Sequence, residues 1–342
     1  MFAEPTVFVI GAGASAEFGM PSGPQLQKNI GSALDFRLGP AGQLLGDENL
    51  YALLNDRFKD EVQGHYDAAN ELSRTIRESP FESIDEALHW FSSSHPEAVA
   101  LGKAAIVREI LSAERTSILF DKDDADNARI PDSATWVSLF LQMAVAAMKK
   151  EEVGSAFSKV TIINFNYDRI IEHFIYSALR TRLDVSQDEA NRAISGLRII
   201  RPYGKVGGLG WQKEQSAVSF GADLGNDHES LFSLSENVHT YTEPVTRQVR
   251  EDIESALIGA RLIVFLGFGF HQQNMRLLMA RQQSAAKHVI ATVFNIHHDN
   301  YDNMRLDLYK RLACTSDPQL LPQTATSLMS TMKLTIMNPT LI

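Results

Sequence analysis

Four runs of Val, Ile, Leu and Phe constrain this chain more than anything else in it. They are TVFVI at 6–10, VTIINF at 160–165, RLIVFLGF at 261–268 and HVIATVFNI at 288–296. A half-exposed strand alternates apolar and polar residues, because successive side chains point to opposite faces. None of these runs alternates. They read as strands buried on both faces, as in a parallel sheet covered by the helices that connect its strands. A fifth run, LRIIRPYG at 197–204, has the same character, and helical patterns occupy 168–180, 272–284 and 300–313. Alternation of strand and helix predicts an α/β fold, doubly wound, on a mainly parallel sheet.

Residues 24–150 break that rhythm. They hold almost no strand-like run, but amphipathic stretches near 47–60, 64–78, 82–93, 97–119 and 134–150. We read one domain over 1–342, with a Rossmann-like core at 1–23 and 151–320 and a large helical insertion over approximately 24–150. The Asp-rich DKDDADNAR at 121–129 starts the oxygen-ligand alternation of a calcium loop at Asp121 and Asp123. Ala125 breaks it, and Asp126 brings no Gly at the bend. A solvated loop is expected there, and no metal site. The segment 205–245 is rich in Gly, Ser, Asn and Asp, and GKVGGLGW at 204–211 reads as loop. Long loops inside a compact domain usually serve as lids or binding surfaces.

Composition excludes several classes. One cysteine, Cys314, makes neither an intramolecular disulfide nor a Cys-based zinc ribbon. The formal charge of −10 argues against nonspecific binding to a polyanion. There is no basic, apolar leader pattern at residue 1, and no run approaches the ~20 apolar residues that span a bilayer. A cytoplasmic protein is expected, with no membrane and no direct nucleic-acid partner.

Three stretches carry chemistry. In TVFVIGAGASAEFGMPSG, Gly11, Gly13 and Ala16 fit G-x-G-x-x-A directly after a strand. Such glycines allow a tight turn and let backbone N–H groups approach a pyrophosphate. A dinucleotide-binding helix would then run on, but Gly19 and Pro21 stop this one. In INFNYDRIIEHF at 163–174, Asn166 and Asp168 fall at the carboxyl end of a strand, where open α/β sheets bind ligands. Asp168 is also a good helix N-cap. In FLGFGFHQQNMRLL at 265–278, Gly267 and Gly269 permit close backbone approach, and His271 and Asn274 stand one helical turn apart.

Together these stretches resemble, in order, the motifs of the sirtuin-like NAD-binding family. GAGASAEFGMPSG is similar to its cofactor loop, NYD to its Asn-x-Asp element, and GFGF to its adenosine-ribose turn. The likeness is to the zinc-ribbon-less bacterial branch associated with antiphage defence. The resemblance implies NAD as substrate or ligand, with Gly11, Ala12, Gly13, Ala14, Ser15, Phe18, Pro21, Asn166, Gly204, Gly267, Phe268, Gly269 and His271 around it. It also explains the interrupted helix, because in the family the chain turns back over the nicotinamide riboside. It further implies a homo-oligomer, or control by a separate regulatory subunit.

The pattern departs from the family where the general base is expected. A His-Gly pair should end the strand near 200, and Tyr203-Gly204 stands there instead. With an ordinary pKa near 10, tyrosine is a poor base at neutral pH. Arg201 cannot act as one. His228 and His239, in the following loop, are the replacements the sequence offers. Lacking the four-Cys ribbon, the chain is not expected to deacetylate proteins. The chemistry that remains is hydrolysis of the nicotinamide–ribose bond through an oxocarbenium-like state, with Asn166, Asp168 and Tyr203 as the catalytic candidates. The alternative is a module that binds NAD or an ADP-ribose-type nucleotide without cleaving it. A conventional nucleotide-dependent oxidoreductase is disfavoured, because no second strand follows within the ~30 residues of a βαβ unit.

Overall fold

All five runs form strands, and a sixth joins them. In the computed structural model, which describes residues 1–57, 62–78, 81, 83–214, 216–240, 243–280 and 288–341, the strands are β1 (Thr6–Ile10), β2 (Val160–Asn164), β3 (Arg198–Ile200), β4 (Leu262–Leu266), β5 (His288–Thr292) and β6 (Gln319–Leu321). They make one sheet in the order β3-β2-β1-β4-β5-β6, with every neighbouring pair parallel. Every residue of β1 and β4 is buried, as strands covered on both faces must be. Strand order reverses beside β1, with β2 on one side and β4 on the other. That switch point opens a crevice at the carboxyl ends of the strands. The fold is α/β and doubly wound, as the sequence predicts.

Helices supply both covering layers. α1 (Ala12–Ala16) follows β1, and then come α2 (Gly23–Ala33), α3 (Glu48–Arg57), α4 (Val62–Glu78), α5 (Ile84–Phe91), α6 (Pro96–Thr116) and α7 (Trp136–Ala144) before β2. α8 (Ile170–Thr181) and α9 (Gln187–Ser195) lead to β3, and α10 (His228–Ser235) and α11 (Arg247–Gly259) lead to β4. After β4 come α12 (Gln272–Met275), α13 (Tyr301–Leu312), α14 (Ala325–Thr331) and α15 (Lys333–Met337). Among the described residues no helix is long and apolar enough to cross a membrane.

Several elements differ from the sequence reading. The exit at Gly19 is real, with φ at +92°, but the chain re-enters a helix four residues later. Ser22 is the N-cap of α2, and Pro24 sits in its first turn, where the missing N–H costs nothing. α10 lies inside the segment read as loop, and α9, α11 and β6 lie in stretches where the sequence reading places no element. The helix expected over 272–284 ends at Met275, and 281–284 lie outside the described residues.

The helices between β1 and β2 are joined to the core by aromatic and ionic contacts. Phe140 of α7 meets Phe8 of β1 edge-on at 5.3 Å and stacks on Phe157 at 5.8 Å. Trp136 Nε1 donates to the Ala14 carbonyl at 2.9 Å in a fully buried contact. On the other side, Glu114 of α6 and Arg169, at the start of α8, form an ion pair with no solvent exposure. Arg169 Nε and Nη2 donate to the two carboxylate oxygens at 3.1 and 2.5 Å. Its remaining N–H groups donate to the carbonyls of Gly208, Val218 and Ser219, and the Gly221 amide donates to Glu114. Every charge is hydrogen-bonded, the condition under which a buried pair is tolerated. This knot fixes the loop after β3 to the start of α8.

Candidate functional site

At the switch point lies a cavity of about 270 Å³, close to the lower end of the ligand-pocket range of about 300–1,000 Å³. The turns after β1, β2 and β4 all open into it. Gly11, Ala12, Gly13, Ser15 and Pro21 line it from the first turn; Asn166 and Asp168 line it from the second; Gly267, Phe268, Gly269 and His271 line it from the third. Tyr203, just beyond β3, closes one side. Ser83, Ile84 and Asp85, at the start of α5, and Ile110 of α6 cover the cavity from the helical segment.

The glycines are there first because two turns cross. Gly11 and Gly13 donate their amides to the carbonyls of Leu266 and Gly267 at 3.0 and 2.9 Å. A Cβ at Gly11 would come within 2.6 Å of the Gly267 carbonyl oxygen, and one at Gly13 within 2.9 Å of Gly267 Cα. Gly267 has φ at +58°, and a Cβ there would lie 1.9 Å from the Ala14 nitrogen. The sequence reading gave Gly13 to pyrophosphate approach. Here its amide is spent on the turn after β4, and the glycine is required by backbone contact.

Three of the residues drawn together, Asn166, Ser15 and Asp168, act on one another. Asn166 Nδ2 donates to Ser15 Oγ at 2.9 Å, and the Ser15 hydroxyl favours the ionised form of Asp168. The Asn166 amide nitrogen donates to Asn164 Oδ1 at 3.0 Å, which fixes the turn after β2. Asp168 is 3% exposed. Burial raises its pKa from 3.8 to about 6, against the opposing pull of Ser15, of Arg201 and of the Ile170 amide. Its N-capping role survives in altered form: Oδ1 accepts from Ile170 at 3.2 Å, but the N-cap position itself is Arg169.

Tyr203 points its hydroxyl at Asn274 Oδ1, 2.7 Å away. Tyr167 donates to Asp85 Oδ1 at 3.2 Å and to the His239 carbonyl at 3.1 Å. Burial and the neighbouring Asp85 push its pKa well above 10, so it remains a phenol. His271 lines the cavity beside Gly269, but its side chain does not cap α12. Among the described lining residues the charged groups are Asp85 and Asp168, with His271 the one imidazole and no Lys or Arg.

No protein-family model and no curated protein sequence matches this chain.

Three candidates from the sequence lie outside the cavity lining. Ala14 is buried and gives its carbonyl to Trp136. Phe18 is buried against the Trp136 ring, with centroids 6.4 Å apart. Gly204 takes φ +74° in a turn, where a Cβ would strike the Asn237 carbonyl oxygen at 1.9 Å. Neither histidine proposed to replace the family base reaches the cavity lining either. His228 Nδ1 pairs with Asp56 at 2.5 Å, and His239 Nδ1 lies 3.3 Å from Glu243. The sequence reading missed Asp85, Tyr167 and Arg201, whose places follow from partners far along the chain. The one available signal was Ser83-Ile84-Asp85-Glu86, a capping pattern before an apolar run.

Proposed function

We propose that the cavity binds NAD and hydrolyses its nicotinamide–ribose bond, and that Asp168 rather than Tyr203 accepts the proton. The observation that carries this reading is the grouping of Asn166, Ser15 and Asp168, buried at the switch point where all three motif turns meet. The acidic lining, Asp85 with Asp168, suits ribose hydroxyls and a cationic nicotinamide ring better than it suits phosphate. In the reaction the C1′–N bond breaks and its electron pair leaves with the ring nitrogen, so the departing nicotinamide is neutral. A water oxygen then bonds to C1′, and its proton passes to a carboxylate. With a pKa of about 6, Asp168 is mostly ionised at pH 7. It is poised to stabilise the oxocarbenium charge and to take that proton. Asn166 Oδ1, the acceptor end of the amide, holds the water, while one Nδ2 N–H donates to Ser15. The reading extends to NAD depletion in antiphage defence, with assembly or a regulatory subunit as the control.

A second reading, an NAD-binding module without turnover, is favoured by one observation. The Tyr203 hydroxyl is a donor to Asn274, not a base. Chromatography of nicotinamide released from NAD separates the two. Hydrolysis through Asp168 predicts an acidic limb near pH 6, with activity falling as pH drops and the carboxylate takes up its proton. Release that is flat from pH 5 to 8 counts against Asp168. Tight binding with no release at any pH selects the module.

A further inference from the structure

Arg201 follows β3 and reaches back under the turn that carries Asn166. Its Nη1 donates to the Asn166 carbonyl at 2.7 Å. Its Nη2 donates to both oxygens of Glu172, at 2.8 and 2.9 Å. Both side chains are buried, at 9% and 5% exposure. Burial alone would push the Glu172 carboxyl up, but Arg201 and Lys205 outweigh it and hold Glu172 below its usual range. Glu172 lies in the first turn of α8, so it is anchored by the helix that starts beside Asp168. The guanidinium therefore clamps three things together: the end of β3, the Asn166 backbone and the start of α8. A planar fork with fixed donors makes such a clamp directional, and an ammonium does not reproduce it.

We propose that Arg201 is a positioning residue of the cavity, clamping the Asn166 backbone against Glu172 so that the Asn166 amide and the Asp168 carboxylate keep their places. It touches no reacting atom and acts through Asn166 and Asp168. The proposal rests on the hydrolase reading for its kinetic consequence, but not for its geometry. Two charged groups act on Asp168: Arg201, which favours the carboxylate, and Glu114, which opposes it. Glu114 is itself paired with Arg169. Loss of Arg201 therefore moves the Asp168 titration upward, whereas damage confined to packing has no reason to.

The test uses the full chain with Arg201→Met, Arg201→Lys and Glu172→Gln, each checked by thermal melting. First, carboxyl-carbon NMR follows the Asp168 titration with no NAD present. The midpoint should rise in Arg201→Met, which removes the cation, and rise less in Arg201→Lys, whose ammonium keeps the charge without the fork. An unmoved midpoint in a folded Arg201→Met protein overturns the proposal. Second, nicotinamide release should lose about 10- to 100-fold in kcat in Arg201→Met, the size expected of a small misplacement in a reactive site. KM should change little, and Glu172→Gln should fall in between. A fall confined to KM also overturns it. Should the wild-type protein release no nicotinamide at all, the hydrolase reading fails, and the NMR titration still decides the role of Arg201. If Arg201→Met does not fold, Arg201→Lys carries both measurements: a small upward shift and a lowered kcat are expected, and wild-type values for both overturn the proposal.

Discussion

Asp168 shows the cost of placing an ionised group where a ligand can use it. In the unfolded chain its pKa is near 3.8, and in the fold it is about 6. A carboxyl whose folded pKa is raised contributes stability that is full below pH 4 and is lost as pH rises through 6. At pH 7 the native state therefore carries an unfavourable buried charge. Asp168→Asn should stabilise the protein by about 1–3 kcal/mol at pH 7, while abolishing nicotinamide release. Urea denaturation at pH 7 and pH 4.5 checks the sign, since the gain should shrink at the lower pH. A destabilised Asp168→Asn protein at pH 7 would mean that the carboxylate is needed for the fold itself. Tyr203 is the contrasting residue. Tyr203→Phe removes one hydroxyl-to-amide hydrogen bond and leaves the ring against Phe165. The cost should be about 1 kcal/mol, with nicotinamide release nearly unchanged. Inactivity comparable to Asp168→Asn would return the tyrosine to the chemistry.

Among the elements, the crossing of the β1 and β4 turns decides the cavity's shape. Gly267→Ala meets two obstacles at once, a positive φ and the Ala14 nitrogen. Backbone strain alone costs about 1–3 kcal/mol, and the clash adds to it. A melting temperature lowered together with loss of NAD binding is expected, and retained binding at wild-type stability would show that the turns can part. These turns were legible in the sequence because glycines and strand ends are local signals. So were five strands, each dense in β-branched residues, and the amphipathic helices before β2. β6 was not: it is three residues, Gln319–Leu321, between Pro318 and Pro322, too short to show a pattern. α2 was hidden because Gly19 and Pro21 end one helix just before Ser22 and Pro24 begin the next. Asn166 and Asp168 could be picked out by their place at a strand end. Arg201 could not, because its role depends on Asn166 and Glu172, both about thirty residues away in sequence. Nor could the fate of Gly13, whose amide bonds to a turn on a strand more than two hundred residues later.

At the scale of the whole molecule, the helical segment between β1 and β2 is not a detachable appendage. Trp136 holds the first turn from beneath, Glu114 holds the start of α8, and Ser83–Asp85 with Ile110 cover the cavity. The crossed turns line one part of the cavity and Asp85 and Asp168 another, so a single site depends on the sheet and the helical segment together. The most direct test of the central claim measures NAD binding by calorimetry and nicotinamide release by chromatography, in the wild-type protein and in Asn166→Ala. The wild type should bind and cleave NAD, and Asn166→Ala should still bind but lose about 100-fold or more in release. Equal release from both proteins would contradict that claim.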